Sequence, residues 1–327
     1  MMQKDRRFIS LVLVLVVIWI FAGTAPAASK KPSTVAELAL YGGTDRQQIL
    51  EEGARKEGKL VFYTSGVLKQ AVRPIVDAFE ARYPFVKVEV WRTLADQVGS
   101  RVLEEYKSGR HLCDVIEGAS QINQIVFQNL GVIQPFSSPN FVYLDEDGVV
   151  KAPGGGAFAV AFRESGVGIG YNTKLIAKEQ LPKTYKELVD PKWKGQRVTI
   201  GSGNTVVSWV GAMADSHGND LVERLAGQNF TIQTVSAAAL LDLIINGEFI
   251  FSPTIYDSHV FNSQQKGAPV GWAPLEPVPV FMGQMMLPKY SLHPHAALLF
   301  IDFELSKGGA EIHRAIGYNH FSIHVNS

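Results

Sequence analysis

Apolar and polar positions in the first half of the chain alternate between strand-like and helix-like spacing. Residues 59–63 form a short apolar run typical of a buried strand, and residues 86–90 alternate apolar with polar, as a half-buried strand does. Between them, Ile75 and Phe79 lie four residues apart, which places both on one face of a helix. A third strand is predicted at residues 113–116. The order strand, helix, strand, helix, strand predicts an α/β fold with a mostly parallel sheet.

A second set of elements follows the glycine-rich stretch at residues 153–156. The pattern predicts strands at residues 158–162, 167–171, 198–200 and 249–251, and helices at residues 205–215, 237–245 and 295–305. Two capping boxes mark helix starts, one from Thr44 to Gln47 and one from Thr184 to Glu187. The first of these helices should end at Gly58.

Composition narrows the class of protein. The chain has 327 residues, of which 46% are hydrophobic, enough for one large or two medium domains. Its 31 basic residues equal its 31 acidic residues, so no excess of positive charge indicates nucleic-acid binding. Cys113 is the single cysteine, which excludes an internal disulfide and a CxxC metal site. We expect Cys113 to be a small core residue.

The N-terminus has the three-part pattern of a secretory signal. Basic residues within the first seven positions precede an apolar run at residues 11–22, and the small residues Ala25-Pro26-Ala27 follow. The run is shorter than the ~20 apolar residues of a membrane-spanning helix, which argues against an uncleaved anchor. We therefore predict that residues 1–27 are a signal peptide and that the mature protein is exported to the periplasm.

Small polar residues follow three predicted strands and open directly onto helices. These segments are Thr64-Ser65-Gly66, Gly118-Ala119-Ser120 and Gly201-Ser202-Gly203-Asn204. A helix start exposes unpaired N–H groups with a partial positive charge and can hold a carboxylate or a phosphate. Any one segment could be an ordinary helix cap, but ligands of α/β sheets bind beyond the carboxyl ends of strands, where all three fall.

We therefore predict one site for a small anionic solute. Its expected ligand-binding residues are Thr64, Ser65, Gly66, Ser120, Ser202, Gly203, Asn204, Thr205, Tyr256 and Asp257. Tyr256 would offer a ring and a hydroxyl group from a connection that faces the helix start at residues 202–204. We predict no catalytic residue, no cofactor and no bound metal.

Several longer motifs, in a fixed order, carry a family resemblance. They read LVFYTS at 60–65, FEARYP at 79–84, GIGYNT at 168–173, DPKWKG at 190–195 and HPHAA at 293–297. Across residues 44–325 the chain resembles the periplasmic solute-binding proteins of ABC importers. It is most similar to the group that includes ferric-iron, thiamine and phosphonate binders.

The resemblance implies a two-lobed periplasmic-binding-protein fold with a ligand cleft that closes between the lobes. Lobe 1 would comprise residues 33–160 plus 273–327, and lobe 2 residues 161–272. It also implies a small-molecule ligand and delivery to an ABC permease of the inner membrane. We expect a monomer that does not bind nucleic acid and is not an enzyme.

Iron is one alternative ligand. The resemblance implies that iron-binding relatives hold ferric ion with two adjacent tyrosines, a histidine and a glutamate. The matching segment here, Thr254-Ile255-Tyr256-Asp257, keeps one tyrosine, residues 64–70 contain no histidine, and residues 92–99 contain Asp96 but no glutamate. We therefore expect no bare ferric ion, although Asp257 with His259 could form a non-standard iron site.

A secreted α/β hydrolase is an alternative from a different class. It would need a base near a nucleophile such as Ser202, and His217 and His259 are the candidates. The chain lacks the G-x-S-x-G nucleophile motif. Histidines also crowd the C-terminal end, at positions 293, 295, 313, 320 and 324. We predict that these are surface residues and helix caps.

The signal-peptide pattern predicts the N-terminus of the mature protein. Intact-mass measurement of a periplasmic extract should give a chain that begins near Ala28. Finding the full-length chain only in the membrane fraction would contradict this prediction.

Overall fold

The computed structural model describes residues 31–118 and 121–318. The predicted signal peptide lies outside the described residues. From Pro32 onward, the described residues belong to one compact unit.

Helices and strands alternate along most of this unit. The α-helices are α1 (Val35–Ala39), α2 (Arg46–Glu57), α3 (Arg73–Arg82), α4 (Ala95–Lys107), α5 (Gln121–Leu130), α6 (Tyr185–Leu188), α7 (Asn204–His217), α8 (Asn219–Ala226), α9 (Ala237–Ile245), α10 (Asp257–Gln264), α11 (Pro294–Glu304) and α12 (Lys307–Ala315). The strands are β1 (Lys59–Thr64), β2 (Lys87–Arg92), β3 (Val115–Glu117), β4 (Ile133–Gln134), β5 (Val149–Lys151), β6 (Ala157–Asn172), β7 (Thr199–Ile200), β8 (Thr231–Ile232), β9 (Phe251–Tyr256), β10 (Val270–Ala273) and β11 (Val280–Pro288).

The predicted parallel strands form one part of the main sheet. β1 lies between β2 and β3 and pairs with both in parallel, with Phe62 opposite Val90 on one side and Val115 on the other. Helices α3 and α4 supply the connections that parallel pairing requires. The carboxyl ends of β1 and β3 therefore meet at one edge, where Thr64 and Glu117 lie.

The other part of the sheet is organised by β6, a strand of 16 residues. Its first half pairs antiparallel with β11, which in turn pairs with β3, so β11 lies between β6 and β3. The second half of β6 pairs antiparallel with β9 and β10. One continuous strand thus joins the two predicted strands at residues 158–162 and 167–171.

Buried apolar side chains divide along the length of β6. Two clusters draw on residues 38–162 and 285–305, including Phe62, Phe79 and Phe300. Two further clusters draw on residues 167–275, including Trp209 and Phe251. β6 contributes residues to cores at both of its ends.

A side-chain cap is present at one of the two predicted capping boxes and absent at the other. Thr184 caps α6, because its Oγ1 accepts a hydrogen bond from the Glu187 amide at 3.2 Å. The prediction at Thr44 was wrong, because α2 begins after Asp45 and has no side-chain cap. The Asp45 carboxylate instead accepts a hydrogen bond from the Tyr41 hydroxyl group at 2.6 Å. Gly58 ends α2 with a positive φ of 70°, as predicted.

The histidines near the C-terminus are less exposed than predicted. His313 is buried and its Nε2 lies 2.7 Å from Glu304 Oε2. His293 Nδ1 lies 2.7 Å from Asp114 Oδ2, and His295 Nδ1 lies 2.7 Å from Glu57 Oε1. The surface interpretation is wrong for His313, whose carboxylate partner lies on the adjacent helix. His293 and His295 are half-buried, and His293 is the N-cap residue of α11, in line with the expected role in helix capping. His320 and His324 lie outside the described residues.

Asp114 fixes the N-terminus of α11 to the sheet. This fully buried carboxylate accepts hydrogen bonds from the Val61 amide at 2.9 Å and the Ser291 hydroxyl group at 2.8 Å. It also accepts from the amides of Leu292 and His293, both at 3.0 Å. Three of these donors, from residues 291–293, lie just before α11, and the fourth lies on β1. Removing the Asp114 carboxylate would leave all four without this acceptor.

Asp114→Ala should therefore lower the free energy of unfolding by ~3–5 kcal/mol, because it strands several buried donors. Urea denaturation followed by circular dichroism measures this change. The control is Glu311→Ala, whose carboxylate is exposed in a pair with Lys307 and should change stability by less than ~0.5 kcal/mol. Equal effects of the two substitutions would contradict the anchoring role.

Candidate functional site

The first predicted loop lies against a buried glutamate at the end of β3. Thr64 Oγ1 donates a hydrogen bond to Glu117 Oε2, and both residues are buried. The Gly66 amide donates to Thr64 Oγ1 at 2.9 Å, which holds the turn of the loop. On the outer side, Arg92 Nε donates to the Gly66 carbonyl oxygen at 3.1 Å. The loop is thus bounded by one acidic and one basic side chain.

The second predicted loop begins directly beside the first. Gly118 has a φ of 82°, and a Cβ atom there would overlap the side chain of Ser65. A glycine is therefore required at this position both by the backbone conformation and by the close approach. Ser120, another predicted ligand residue, lies outside the described residues.

Arg163 on β6 pairs with Glu117 at this edge of the sheet. Its Nη2 atom donates to Glu117 Oε1 across the intervening strand β11. Gly283 of β11 lies directly opposite Arg163, and a Cβ atom there would come within 2.7 Å of Arg163 Cγ. The absence of a side chain at Gly283 is what lets the arginine cross β11 and reach Glu117.

The charge of Arg163 is stabilised although it is removed from water. Burial alone would lower the pKa of Arg163, but the carboxylate of Glu117 more than offsets this, and the pKa is raised. The guanidinium carbon also lies 4.8 Å from the ring centre of Tyr318. Arg163 is thus a permanent cation held between a carboxylate and an aromatic ring.

The third predicted loop is tied to the end of β9 at two points. The Gly201 amide donates to Thr254 Oγ1 at 3.0 Å, and the hydroxyl groups of Thr205 and Tyr256 lie 2.8 Å apart. Gly203, with a φ of 82°, precedes α7 as its N-cap. These contacts hold the N-terminus of α7 against Tyr256. The structure thus brings together Thr205 and Tyr256, two of the residues that the sequence analysis assigned to one site.

Burial keeps the Tyr256 phenol neutral against the influence of two of its neighbours. Burial raises the pKa of the Tyr256 phenol, while Thr205 and the positive charge of Arg163 act in the opposite direction. The ring of His259 packs edge-on against it with centroids 5.2 Å apart, and that of Phe281 at 5.7 Å. Tyr256 is therefore a hydroxyl group that can donate or accept hydrogen bonds at neutral pH.

Asp257 has different neighbours from those of Tyr256. Its Oδ1 atom accepts from the Ser258 amide at 2.6 Å, in the first turn of α10. Burial raises the pKa of Asp257, and burial together with the charge of Asp257 raises that of Glu164. Because successive side chains of a strand point to opposite faces, Glu164 and Arg163 lie on opposite sides of β6. Asp257 thus interacts with the face of β6 that Arg163 does not occupy.

We call Thr64, Glu117, Arg163, Thr205, Tyr256, His259 and Tyr318 the arginine site. The sequence analysis named Thr64, Thr205 and Tyr256 as ligand-binding residues, considered His259 only for the iron and hydrolase alternatives, and missed Glu117, Arg163 and Tyr318. One signal was present for Arg163, because Arg163-Glu164-Ser165 interrupts an otherwise apolar stretch. Ser202 is half-buried in the loop before α7, whereas the side chains of Ser120 and Asn204 are not described.

The structure can be compared with the metal-site and hydrolase alternatives at the residues that those alternatives named. Across residues 31–118 and 121–318, no group of three or more histidine, cysteine, aspartate or glutamate side chains is placed to hold a metal ion. In the same part of the chain, no hydrogen bond joins Ser202 to His217 or His259. His217 instead lies 2.9 Å from the Ser216 hydroxyl group. The arrangement can bind polar groups but lacks an activated nucleophile.

A family comparison agrees with this geometry. Residues 65–311 match the model of the bacterial extracellular solute-binding protein family. The chain belongs to this family. The solute-binding function predicted from the sequence is thereby confirmed, as is the resemblance on which it rested. No curated protein matches the sequence.

Solved structures with a similar fold include a periplasmic binding protein and the substrate-binding protein of an ABC transporter. Iron-bound HitA from Pseudomonas aeruginosa is 20% identical, with a TM-score of 0.70 over 81% of this chain and 87% of that one. AfuA from Actinobacillus pleuropneumoniae, with fructose-6-phosphate bound, is 23% identical, with a TM-score of 0.70 over 81% and 86%. The substrate-binding protein of an ABC transporter from Agrobacterium tumefaciens is 17% identical, with a TM-score of 0.71 over 82% and 80%.

These likenesses confirm the predicted α/β fold of the two-lobed periplasmic binding proteins. The main sheet of this solute-binding protein is mixed, because β1 and β2 run parallel whereas β6 and β11 run antiparallel. Every helix within residues 31–118 and 121–318 is too short or too polar to traverse a lipid bilayer.

Proposed function

We propose that this protein captures a small anionic solute at the arginine site and delivers it to an ABC permease. The observation that carries the proposal is Arg163, a largely buried cation that pairs with Glu117 at the end of β3 and whose charge also acts on Tyr256 at the end of β9. Its charge acts on Glu117 at one side and on Tyr256 at the other. A solute carboxylate or phosphate near Tyr256 would meet this charge in surroundings of low polarity, where attraction is strong.

The N-terminus of α7 adds a second attraction for an anion. The first amides of a helix have no intrahelical acceptor, and α7 has 14 residues, long enough for a full helix dipole. Thr205 in its first turn adds a hydroxyl group next to that of Tyr256. Ser202 and Asn204 flank the same turn, and we assign them to the solute as well.

We propose that the solute closes two lobes that share β6. The division of the buried clusters supports lobe 1 at residues 33–160 plus 273–327 and lobe 2 at 161–272. β6 and β11 pair side by side where the chain would cross between the lobes. Closure of two domains around a ligand by a hinge motion is established for periplasmic binding proteins. The protein would act as a monomer in the periplasm, after removal of residues 1–27.

HitA is an iron-bound protein, but the arginine site favours an anion over a bare cation. The positive charge of Arg163 opposes a nearby metal ion, and the Tyr256 hydroxyl group is engaged by Thr205. The carboxylate of Glu117 is already neutralised by Arg163. The sugar phosphate bound by AfuA has the charge that this site would accept.

Anion binding predicts the effect of substitutions at the start of α7. Ser202→Ala and Asn204→Ala should each weaken binding about tenfold, because each would remove a hydrogen bond to a charged ligand. Calorimetry should use inorganic phosphate, citrate, fructose 6-phosphate and, as the uncharged control, fructose. The control variant is Ser216→Ala, at the far end of the same helix. Wild-type affinity of both site variants, or equal binding of fructose, would contradict the proposal.

A second prediction concerns iron. Ferric citrate added to the solute-free protein should produce no tyrosinate-to-iron charge-transfer band in the visible spectrum, because burial keeps Tyr256 a neutral phenol and the positive charge of Arg163 repels a nearby metal ion. A strong band that disappears in Tyr256→Phe would show that the protein binds iron through this residue.

A further inference from the structure

His259 is the one member of the arginine site with a buried polar atom that no described residue satisfies. Its Nδ1 atom is inaccessible to solvent and has no hydrogen-bond partner within residues 31–118 and 121–318. The ring as a whole is half-buried, and it packs edge-on against Tyr256 with centroids 5.2 Å apart. A buried polar group without a partner is costly, so such groups in native proteins mark a function or a missing partner.

The position of His259 on α10 places it beside the groups already assigned to the solute. It lies in the first turn of α10, directly after the end of β9. Ser258, its neighbour in the chain, has its hydroxyl group 3.1 Å from that of Ser165 on β6, which fixes this turn against the strand that carries Arg163. His259 is therefore held next to Tyr256 by the backbone rather than by a hydrogen bond of its own.

We propose that His259 is a solute-contacting residue whose imidazole hydrogen-bonds the bound solute beside Tyr256. The inference deepens the proposed function and rests on it. A histidine held only for packing would gain nothing from its buried nitrogen, since an apolar ring would fill the same space at lower cost. A solute that supplies a hydrogen bond accounts for both the ring's position and its polarity.

The charge state of His259 indicates which part of the solute it contacts. Burial and the nearby positive charge of Arg163 lower the pKa of His259 to about 4. The ring is therefore neutral at physiological pH, with one nitrogen that donates and one that accepts. A neutral imidazole matches a hydroxyl group, which also donates and accepts, while Arg163 and α7 attract the anionic group. The preferred solute is therefore a hydroxylated anion.

Two substitutions separate hydrogen bonding from packing. His259→Phe keeps an aromatic ring against Tyr256 but removes both nitrogens, whereas His259→Gln keeps a group that donates and accepts. The control is His217→Phe, since His217 also packs edge-on against a tyrosine, Tyr185, at 5.5 Å, at the other end of α7. The melting temperature of each solute-free variant is measured first. Affinity is then measured for the anion, among phosphate, citrate and fructose 6-phosphate, that the wild-type protein binds most tightly.

We expect His259→Phe to weaken binding about tenfold or more while leaving the solute-free melting temperature unchanged or higher. His259→Gln should stay within about threefold of the wild-type affinity, and His217→Phe should bind as the wild type does. Wild-type affinity of His259→Phe, or a lower solute-free melting temperature of that variant, would overturn the assignment of His259 alone. Failure of the wild-type protein to bind any of the three anions would overturn the proposed function and this inference together.

Discussion

The structure around the candidate site depends on neutralising one buried guanidinium group. An isolated charge in the protein interior is too costly to keep, so Arg163 must reach a carboxylate. Glu117 is that carboxylate, but it lies two strands away, with β11 between them. The pair forms because β11 has Gly283 at the crossing point. Replacing one partner of such a pair costs ~3–5 kcal/mol, so the sheet order and the charge pair stabilise each other.

The other polar groups of the proposed site are uncharged. Thr64, Thr205, Tyr256 and His259 offer hydroxyl groups and a neutral ring near the Arg163–Glu117 pair. In the proposed function such groups would orient a solute without adding charge, while Arg163 would determine the sign of charge that is tolerated. The family to which the chain belongs is that of the bacterial extracellular solute-binding proteins, so a binding site is the expected use of this arrangement.

Local patterns in the sequence predicted those features, such as helix ends and loops, that are determined by residues close together in the chain. Gly58 ends its helix, Thr184 caps another, and the loops after β1 and before α7 lie where strand order implied. Glu117 and Arg163 were missed because 46 residues separate them, and their contact depends on a strand contributed by residues 280–288. The surface interpretation of His313 failed for a similar reason, since the packing of α11 against α12 determines its burial. Pairings between distant segments carry no periodic signal in a single sequence.

The length of β6 has a consequence for how the two halves of the molecule hold together. Its 16 residues contribute to buried clusters on both sides of Arg163 without a break. Strands β9, β10 and β11 all pair with this one strand. Neither half therefore contains all of its own sheet, and a fragment cut at residue 160 would expose unpaired strand edges in both pieces. The protein should lose its structure in a single cooperative transition, rather than as two independently melting modules.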